Sequence, residues 1–233
     1  EGVAGMRGQR GHGGRCPGII AGIVLAAAAV RADAGGLYIS EFATPSMGTA
    51  DAGSQAWADN ASAALHNPAS MTRLQQNQIL VGTGVGITQV EFDVDRADID
   101  GDDGGSAGST APLGMISGVY RLSDRWRAGL AVGGITGAAL DYNRNFVGRF
   151  QVTDVSLLVA GVTPSVAYEV TDWLSLGAGV TLVYAQLNQK IRPSTIDGDG
   201  RIRIDDADDT DVTYNLSAMV ELSESTSFGV AYN

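Results

Sequence analysis

Apolar and polar residues alternate one for one along seven stretches of this chain, and the runs are long enough to read as β-strands with two unlike faces. In residues 79 to 91, Ile79, Val81, Val85 and Ile87 share one face, and Gly82, Gly84, Gly86 and Thr88 share the other. In residues 174 to 184, Leu174, Leu176, Ala178, Val180, Leu182 and Tyr184 oppose Ser175, Gly177, Gly179 and Thr181. The cleanest case is 212 to 222, where Val212, Tyr214, Leu216, Ala218, Val220 and Leu222 alternate with Thr213, Asn215, Ser217, Met219 and Glu221. Residues 113 to 121, 126 to 140 and 155 to 170 carry a noisier form of the same pattern, and 227 to 233 a short one. Strands with a continuous apolar face and a small or polar opposite face are what a membrane-spanning barrel needs, at about 9 to 11 residues each.

Three connections repeat a single turn motif: YRLSDRWRAG, YEVTDWLSLG and VELSESTSFG. Aligned, they pair Ser123, Thr171 and Ser223, then Asp124, Asp172 and Glu224, then Gly129, Gly177 and Gly229, at offsets of 48 and 52 residues. A unit of that length holds two strands, one tight turn and one long loop, the repeat of an up-and-down antiparallel barrel. A soluble β-sandwich with similar turns is the competing architecture. Tyr120, Trp126, Tyr168 and Trp173 flank these turns. Aromatic rings gather where hydrocarbon meets water, so they mark a girdle at one rim, or else pack on one another across strands.

Charge sharpens the picture. Charged residues make up 18% of the chain, below the usual quarter, and the 32 glycines are about twice the usual share. Thirteen of the 26 acidic residues fall in two stretches: Asp93, Asp95, Asp98, Asp100, Asp102 and Asp103, then Asp197, Asp199, Asp205, Asp206, Asp208, Asp209 and Asp211. Long acidic loops at 93 to 110, 141 to 150 and 192 to 211 would then face outward and the short turns the periplasm. The net charge of -11 and the absence of a basic stripe argue against nucleic acid as a partner.

At the N-terminus, Arg7, Arg10 and Arg15 precede an apolar run over 19 to 30 and then Ala32-Asp33-Ala34, the layout of an export signal cleaved before Gly35, with Met6 as the start. The run is too short for a spanning helix. Cys16, the only cysteine, lies within the signal ahead of that run, so no disulfide framework is expected. Seven strands do not close, and an open edge in lipid leaves unpaired backbone groups. The expected organisation is a signal over 1 to 34, a leading segment over 35 to 75, and the N-terminal part of a barrel over 76 to 233.

The leading segment lacks strand periodicity and contains Gly35-Gly36-Leu37-Tyr38, Glu41-Phe42, the small-residue run 48 to 53, Asp59-Asn60-Ala61-Ser62-Ala63 and Asn67-Pro68-Ala69-Ser70-Met71. With these blocks and the stretch GVTPSVAYEVTDWLSLGAGV at 161 to 180, the chain resembles the FadL-like outer-membrane transporters of long-chain fatty acids and aromatic hydrocarbons. It departs from them at Ser70, where that family has glycine, and in its acidic outer loops. The resemblance covers the whole mature chain and about the first half of a fourteen-stranded barrel.

That resemblance implies a monomeric barrel in the outer membrane of a Gram-negative bacterium, surrounded by outer-membrane lipid. The leading segment would act as a hatch plugging the lumen, and apolar ligands would leave sideways through the wall. Leu37, Ile39 and Phe42 would either touch ligand or pack the hatch on the wall. Asn67, Pro68 and Ala69 would form a fixed pivot or a plain helix stop, since proline restricts its own φ and that of its neighbour. A fatty-acid carboxylate calls for a cation, and Arg144, Arg149, Lys190 and Arg192 lie near outer strand ends, where they would serve it or balance the aspartates.

No metal or cofactor is expected. The acidic runs at 98 to 103 and 197 to 200 miss the spacing of a calcium loop, and His66 stands without zinc-ligand spacing around it. No serine occupies G-x-S-x-G, so an enzyme is not expected. Two other functions fit an outer-membrane barrel: a nonspecific porin, in which the leading segment leaves the lumen open, and an adhesin or structural barrel built around the acidic loops.

Overall fold

The computed structural model describes residues 43–195, 198–223 and 225–233. Leu37, Ile39 and Phe42, the export signal, Asp197 and Glu224 lie outside the described residues. After a 3-10 turn over Pro45–Thr49, a four-residue helix α1 (Ala63–His66) and a second 3-10 turn (Pro68–Arg73), the rest is strand. The strands are β1 (Gln78–Ile87), β2 (Thr110–Arg121), β3 (Trp126–Asp141), β4 (Asp154–Thr171), β5 (Leu174–Ile191), β6 (Ser194–Thr195), β7 (Gly198–Asp199), β8 (Ile202–Ser223) and β9 (Thr226–Tyr232).

Seven of them form one sheet in the order β1-β2-β3-β4-β5-β8-β9, every neighbour antiparallel and following its partner in chain order, with β6 and β7 between β5 and β8. β6 and β7 make a separate two-stranded ribbon. No helix among the described residues is long and apolar enough to cross a membrane. The sheet crosses instead, with strands that satisfy their own backbone groups laterally.

The two faces separate as the alternation requires. Ile79 is 81% exposed, Leu216 62% and Leu182 55%, whereas Ser175, Asn215, Ser217 and Met219 are buried. Cross-strand partners share a face, so Val132, Val162, Leu182 and Val212, paired in sequence across four strands, form one apolar row on the outer surface. Trp126 pairs with Tyr168 on that same surface, with ring centroids 4.6 Å apart, so the girdle residues are also cross-strand partners.

One expectation fails. The acidic stretch 205 to 211 is not a loop: β8 begins at Ile202 and carries those aspartates as a ladder against β5, with a bulge at Asp206, whose φ is 50°. Sequence alternation ends where hydrocarbon ends, but the backbone ladder continues into water, where aspartate side chains are well solvated and the hydrogen bonds persist. β5 extends past 184 to Ile191 for the same reason.

The outer connections are also more structured than their composition suggests. Phe146, 5% exposed, stacks on Tyr142 at 4.0 Å and meets Phe92 edge-on at 5.3 Å, which ties the β1–β2 loop to the β3–β4 loop. The carboxylates of Asp102 and Asp103 accept the backbone N–H groups of Gly104 and Gly105 at 2.9 Å each, at glycines with φ of 82° and 71°. The aspartates there turn the chain, and the left-handed backbone asks for glycine.

Candidate functional site

Residues 43 to 77, ahead of β1, lie against the polar face of the sheet and reach both of its edge strands. A methyl group at Gly82 of β1 would strike the Ala43 carbonyl, one at Gly129 of β3 the Met71 sulfur and Ala64, one at Gly177 of β5 the Ala69 nitrogen, and one at Gly229 of β9 the Gln55 carbonyl. A single short segment in contact with both edge strands and the strands between requires a sheet that curls around it. Three of those glycines, Gly129, Gly177 and Gly229, are the ones aligned by the turn repeat, so what reads in sequence as turn periodicity is also a row of seats for the segment, for side chains at Gly129 and for backbone at Gly177 and Gly229.

Apolar packing at this contact is made of small groups. Ala61, Ala63, Ala64, Met71 and Leu74 meet Val119 and Ala167 of the wall. A buried methyl contributes only about 0.8 kcal/mol, so the contact is held as much by polar groups as by apolar ones.

Those polar groups are specific. Arg127, on the inner face of β3 and 2% exposed, donates from Nε to the Leu74 carbonyl at 3.2 Å and from one terminal nitrogen to the Ser123 carbonyl at 2.7 Å. Its other terminal nitrogen reaches the Thr72 carbonyl at 3.4 Å. One guanidinium thus joins the end of the segment to the first periplasmic turn. Thr72 donates to Ser175 at 2.8 Å, the Ala69 N–H to Ser217 at 3.0 Å, and Ser165 to the Ala64 carbonyl at 3.2 Å. Arg73 approaches Glu221 at 3.5 Å.

Of the three pivot candidates, Asn67 ends α1 and precedes the second 3-10 turn, in extended backbone with φ −148°. Its side-chain amide donates to the Gln55 carbonyl at 2.6 Å, and its own carbonyl accepts from Ser70 at 2.7 Å. Pro68 and Ala69, both buried, follow directly onto Gly177 and Ser217. His66, buried in the same turn, lies 3.7 Å from Asp51, a contact between residues that nothing in their spacing links. Among the described residues no three of His, Cys, Asp and Glu converge as metal ligands.

Beyond the segment, register places a second inner feature. Thr163 and Thr181 share a hydrogen bond of 2.9 Å, and Thr181 pairs with Thr213. Further from the periplasmic rim, Leu157 pairs with Leu187 and Val159 with Ala185, with Val183 and Ile135 adjacent, and the Ile135 side chain lies over Gly161. This apolar inner patch was not legible in the sequence: it falls in the noisier strands and in the part of β5 beyond residue 184. The β3 register shifts between Gly134 and Thr136, a bulge at the same level of the wall.

The four cations near outer strand ends do not all meet. Arg144, Lys190 and Arg192 line one cleft of about 310 Å³ with Arg201 and Arg203. Arg149 does not line that cleft: its backbone carbonyl accepts the Arg192 N–H at 3.0 Å, but its side chain donates to the Asp100 carbonyl at 2.8 Å with the guanidinium 4.6 Å from the Phe150 ring centre.

Seven antiparallel strands with an apolar outer belt, an aromatic rim and a polar inner face define a transmembrane β-barrel protein of the outer membrane. Residues 25–233 match the family of outer membrane protein transport proteins (OMPP1/FadL/TodX), and the chain belongs to it. Outer membrane protein P1 of Haemophilus influenzae is 28% identical over 179 residues, covering 68% of this chain and 38% of that protein. A Pseudomonas aeruginosa FadL homologue superposes with a TM-score of 0.64 at 21% identity, over 84% of this chain and 50% of that one. The Ralstonia pickettii toluene transporter TbuX does so at 0.59 and 21%, over 76% and 53%. The chain thus spans about half the length of the solved structures it matches and less of the curated relative. The family and its solved members are transporters of the outer membrane, and the structural likeness establishes the shared fold.

Proposed function

We propose that this chain forms the plugged half of a passive transporter that carries hydrophobic small molecules, long-chain fatty acids or aromatic hydrocarbons, across the outer membrane. The observation that carries this reading is the seating of residues 43 to 77 on the inner wall: close backbone contact over glycines, alanine-sized packing and a small set of hydrogen bonds. Such a contact excludes water and solutes yet opens without exposing a large apolar surface. In this reading residues 35 to 75 are the hatch, Asn67-Pro68-Ala69 the part of it fixed to β5 and β8, and Leu37, Ile39 and Phe42 its apolar candidates for touching ligand.

An apolar ligand entering from outside would lie on the inner patch of Leu157, Val159 and Leu187. Each methylene buried there contributes about 0.8 kcal/mol, so a sixteen-carbon chain gains on the order of 10 kcal/mol before ordering costs. A rigid pocket would release such a ligand slowly, and a displaceable hatch lowers that barrier without an energy source. The β3 bulge beside Gly133 and Gly134, two residues without side chains, would be the place for a lateral exit into lipid.

The test is uptake of labelled oleate and labelled toluene by cells carrying the complete gene. Uptake of one that depends on the protein supports transport, and equal uptake with and without it removes the proposal. Planar-bilayer conductance separates the porin reading, which requires an open ion path, from a hatched barrel, which stays nearly silent. Uptake that survives deletion of the loop at 93 to 110 separates transport from an adhesin built on that loop.

A further inference from the structure

The cationic cleft at the outer end of the wall does not face the lumen. Asp141 pairs with Asp154, Asp154 with Lys190 and Lys190 with Arg203, so these four side chains form one row across β3, β4, β5 and β8. β4 and β5 hold one unbroken register from the Val162–Leu182 pair to the Asp154–Lys190 pair. Leu182 and Lys190 are an even step of eight positions apart, so both lie on the same face, and that face is the exposed apolar belt. Five of the chain's 15 lysines and arginines line this cleft, in a protein of net charge -11.

Height along the wall fixes what this row meets. Leu176 pairs with Tyr168 in the girdle row beside the short turns, and Lys190 lies fourteen residues further along β5. At about 3.3 Å per residue and a strand tilt of about 40°, that is about 35 Å along the barrel axis, just past a hydrocarbon core of about 30 Å. Between them the outward residues run Ala178, Val180, Leu182 and Tyr184, then Gln186 and Asn188, so polarity changes where the hydrocarbon would end.

We propose that this cleft is a binding site for the phosphate groups of an outer-leaflet glycolipid, the lipid A part of lipopolysaccharide. The long loops lie at this end of the barrel, so the leaflet beside it is the external one. Lys190 is bridged to Asp154 at 3.0 Å and Arg203 is paired with Asp205, which fixes both cations in place. Arg144, Arg192 and Arg201 supply further donors to the same cleft, and guanidinium groups suit phosphate oxygens because their fork matches two of them at once. The acyl chains of the same lipid would lie on the Leu182 and Val162 row directly below. Phosphate is preferred to a cargo carboxylate because cargo travels inside the wall and these side chains point away from it.

The complete protein is reconstituted in phosphatidylethanolamine vesicles containing bisphosphorylated or dephosphorylated lipid A, re-extracted in mild detergent, and the retained lipid A is measured by mass spectrometry. Wild-type protein and the outer-loop control Arg96→Gln should retain the bisphosphorylated form. Lys190→Gln/Arg192→Gln/Arg203→Gln should lower that retention at least about tenfold, given the attraction of each surface cation to an anionic headgroup. Should the triple variant fail to form the heat-modifiable barrel band, Arg201→Gln/Arg203→Gln, at exposed positions, must still lower retention. Equal retention of the two lipids by wild type overturns the proposal. So does displacement of lipid A by millimolar inorganic phosphate, which marks a site for free anion, and so does a loss of oleate affinity in the variant with lipid retention unchanged.

Discussion

The backbone nitrogen of Ala69 sits so close to Gly177 that a methyl group on the glycine would come within 2.2 Å of it. That N–H donates to Ser217 on the adjacent strand, which makes the contact directional as well as close. Wall and leading segment are therefore fitted at the level of backbone, and side-chain rearrangement cannot relieve an added atom.

Gly177→Ala is accordingly expected to lift the segment locally without unfolding the barrel, since β5 keeps its ladder. Planar-bilayer recording should show ion conductance well above wild type. Gly114→Ala is the control, because nothing stands within 4 Å of a methyl group there, and it should leave conductance unchanged.

Arg127 ties the end of the segment to a periplasmic turn through carbonyl acceptors at Leu74, Thr72 and Ser123. Arg127→Met removes those bonds while filling part of the volume, and should cost about 1 to 3 kcal/mol because buried carbonyls lose their partner. Hydrogen exchange of amides 72 to 76 should accelerate correspondingly. Arg127→Lys should restore little, since one ammonium cannot span acceptors on both sides of a planar fork.

Asn67→Ala removes the bond to the Gln55 carbonyl and should destabilise the segment by about 1 kcal/mol, read as faster proteolysis of residues 43 to 77 with the strands intact.

The face assignment has its own check. Leu216→Arg places a charge in hydrocarbon and should cost about 2 to 4 kcal/mol of barrel stability in a urea unfolding series. Thr213→Arg, on the opposite face of the same strand, should cost far less. Equal costs would mean the two faces are wrongly assigned.

How much of this was readable from sequence depends on where physics writes with period two. Within the hydrocarbon, lipid demands apolar side chains at alternate positions, so Leu176, Val180 and Leu216 declared their face and the strands holding them were found. Above it water imposes no such rule, and the aspartates of β8 read as loop although they carry a ladder. Asn67-Pro68 marked a stop because proline restricts backbone locally. The seat of that turn on Gly177 and Ser217 is a contact between residues more than a hundred positions apart, which local chemistry does not encode. The aligned glycines were visible as a repeat, but their second role as places where the segment seats closely on the wall needed coordinates. Arg127 gave no signal at all, since one of three arginines around a turn, beside Arg121 and Arg125, looks like solvated charge.

The most direct test locks the segment to the wall. The Thr72 and Ser175 hydroxyls lie 2.8 Å apart, so the pair Thr72→Cys/Ser175→Cys places two sulfurs within disulfide reach, and the sequence holds only Cys16 besides. Uptake of labelled oleate or toluene by cells carrying the complete protein is then measured oxidised and reduced. The account predicts that oxidation abolishes uptake and reductant restores it. A crosslinked protein that transports as fast as its reduced form would contradict it.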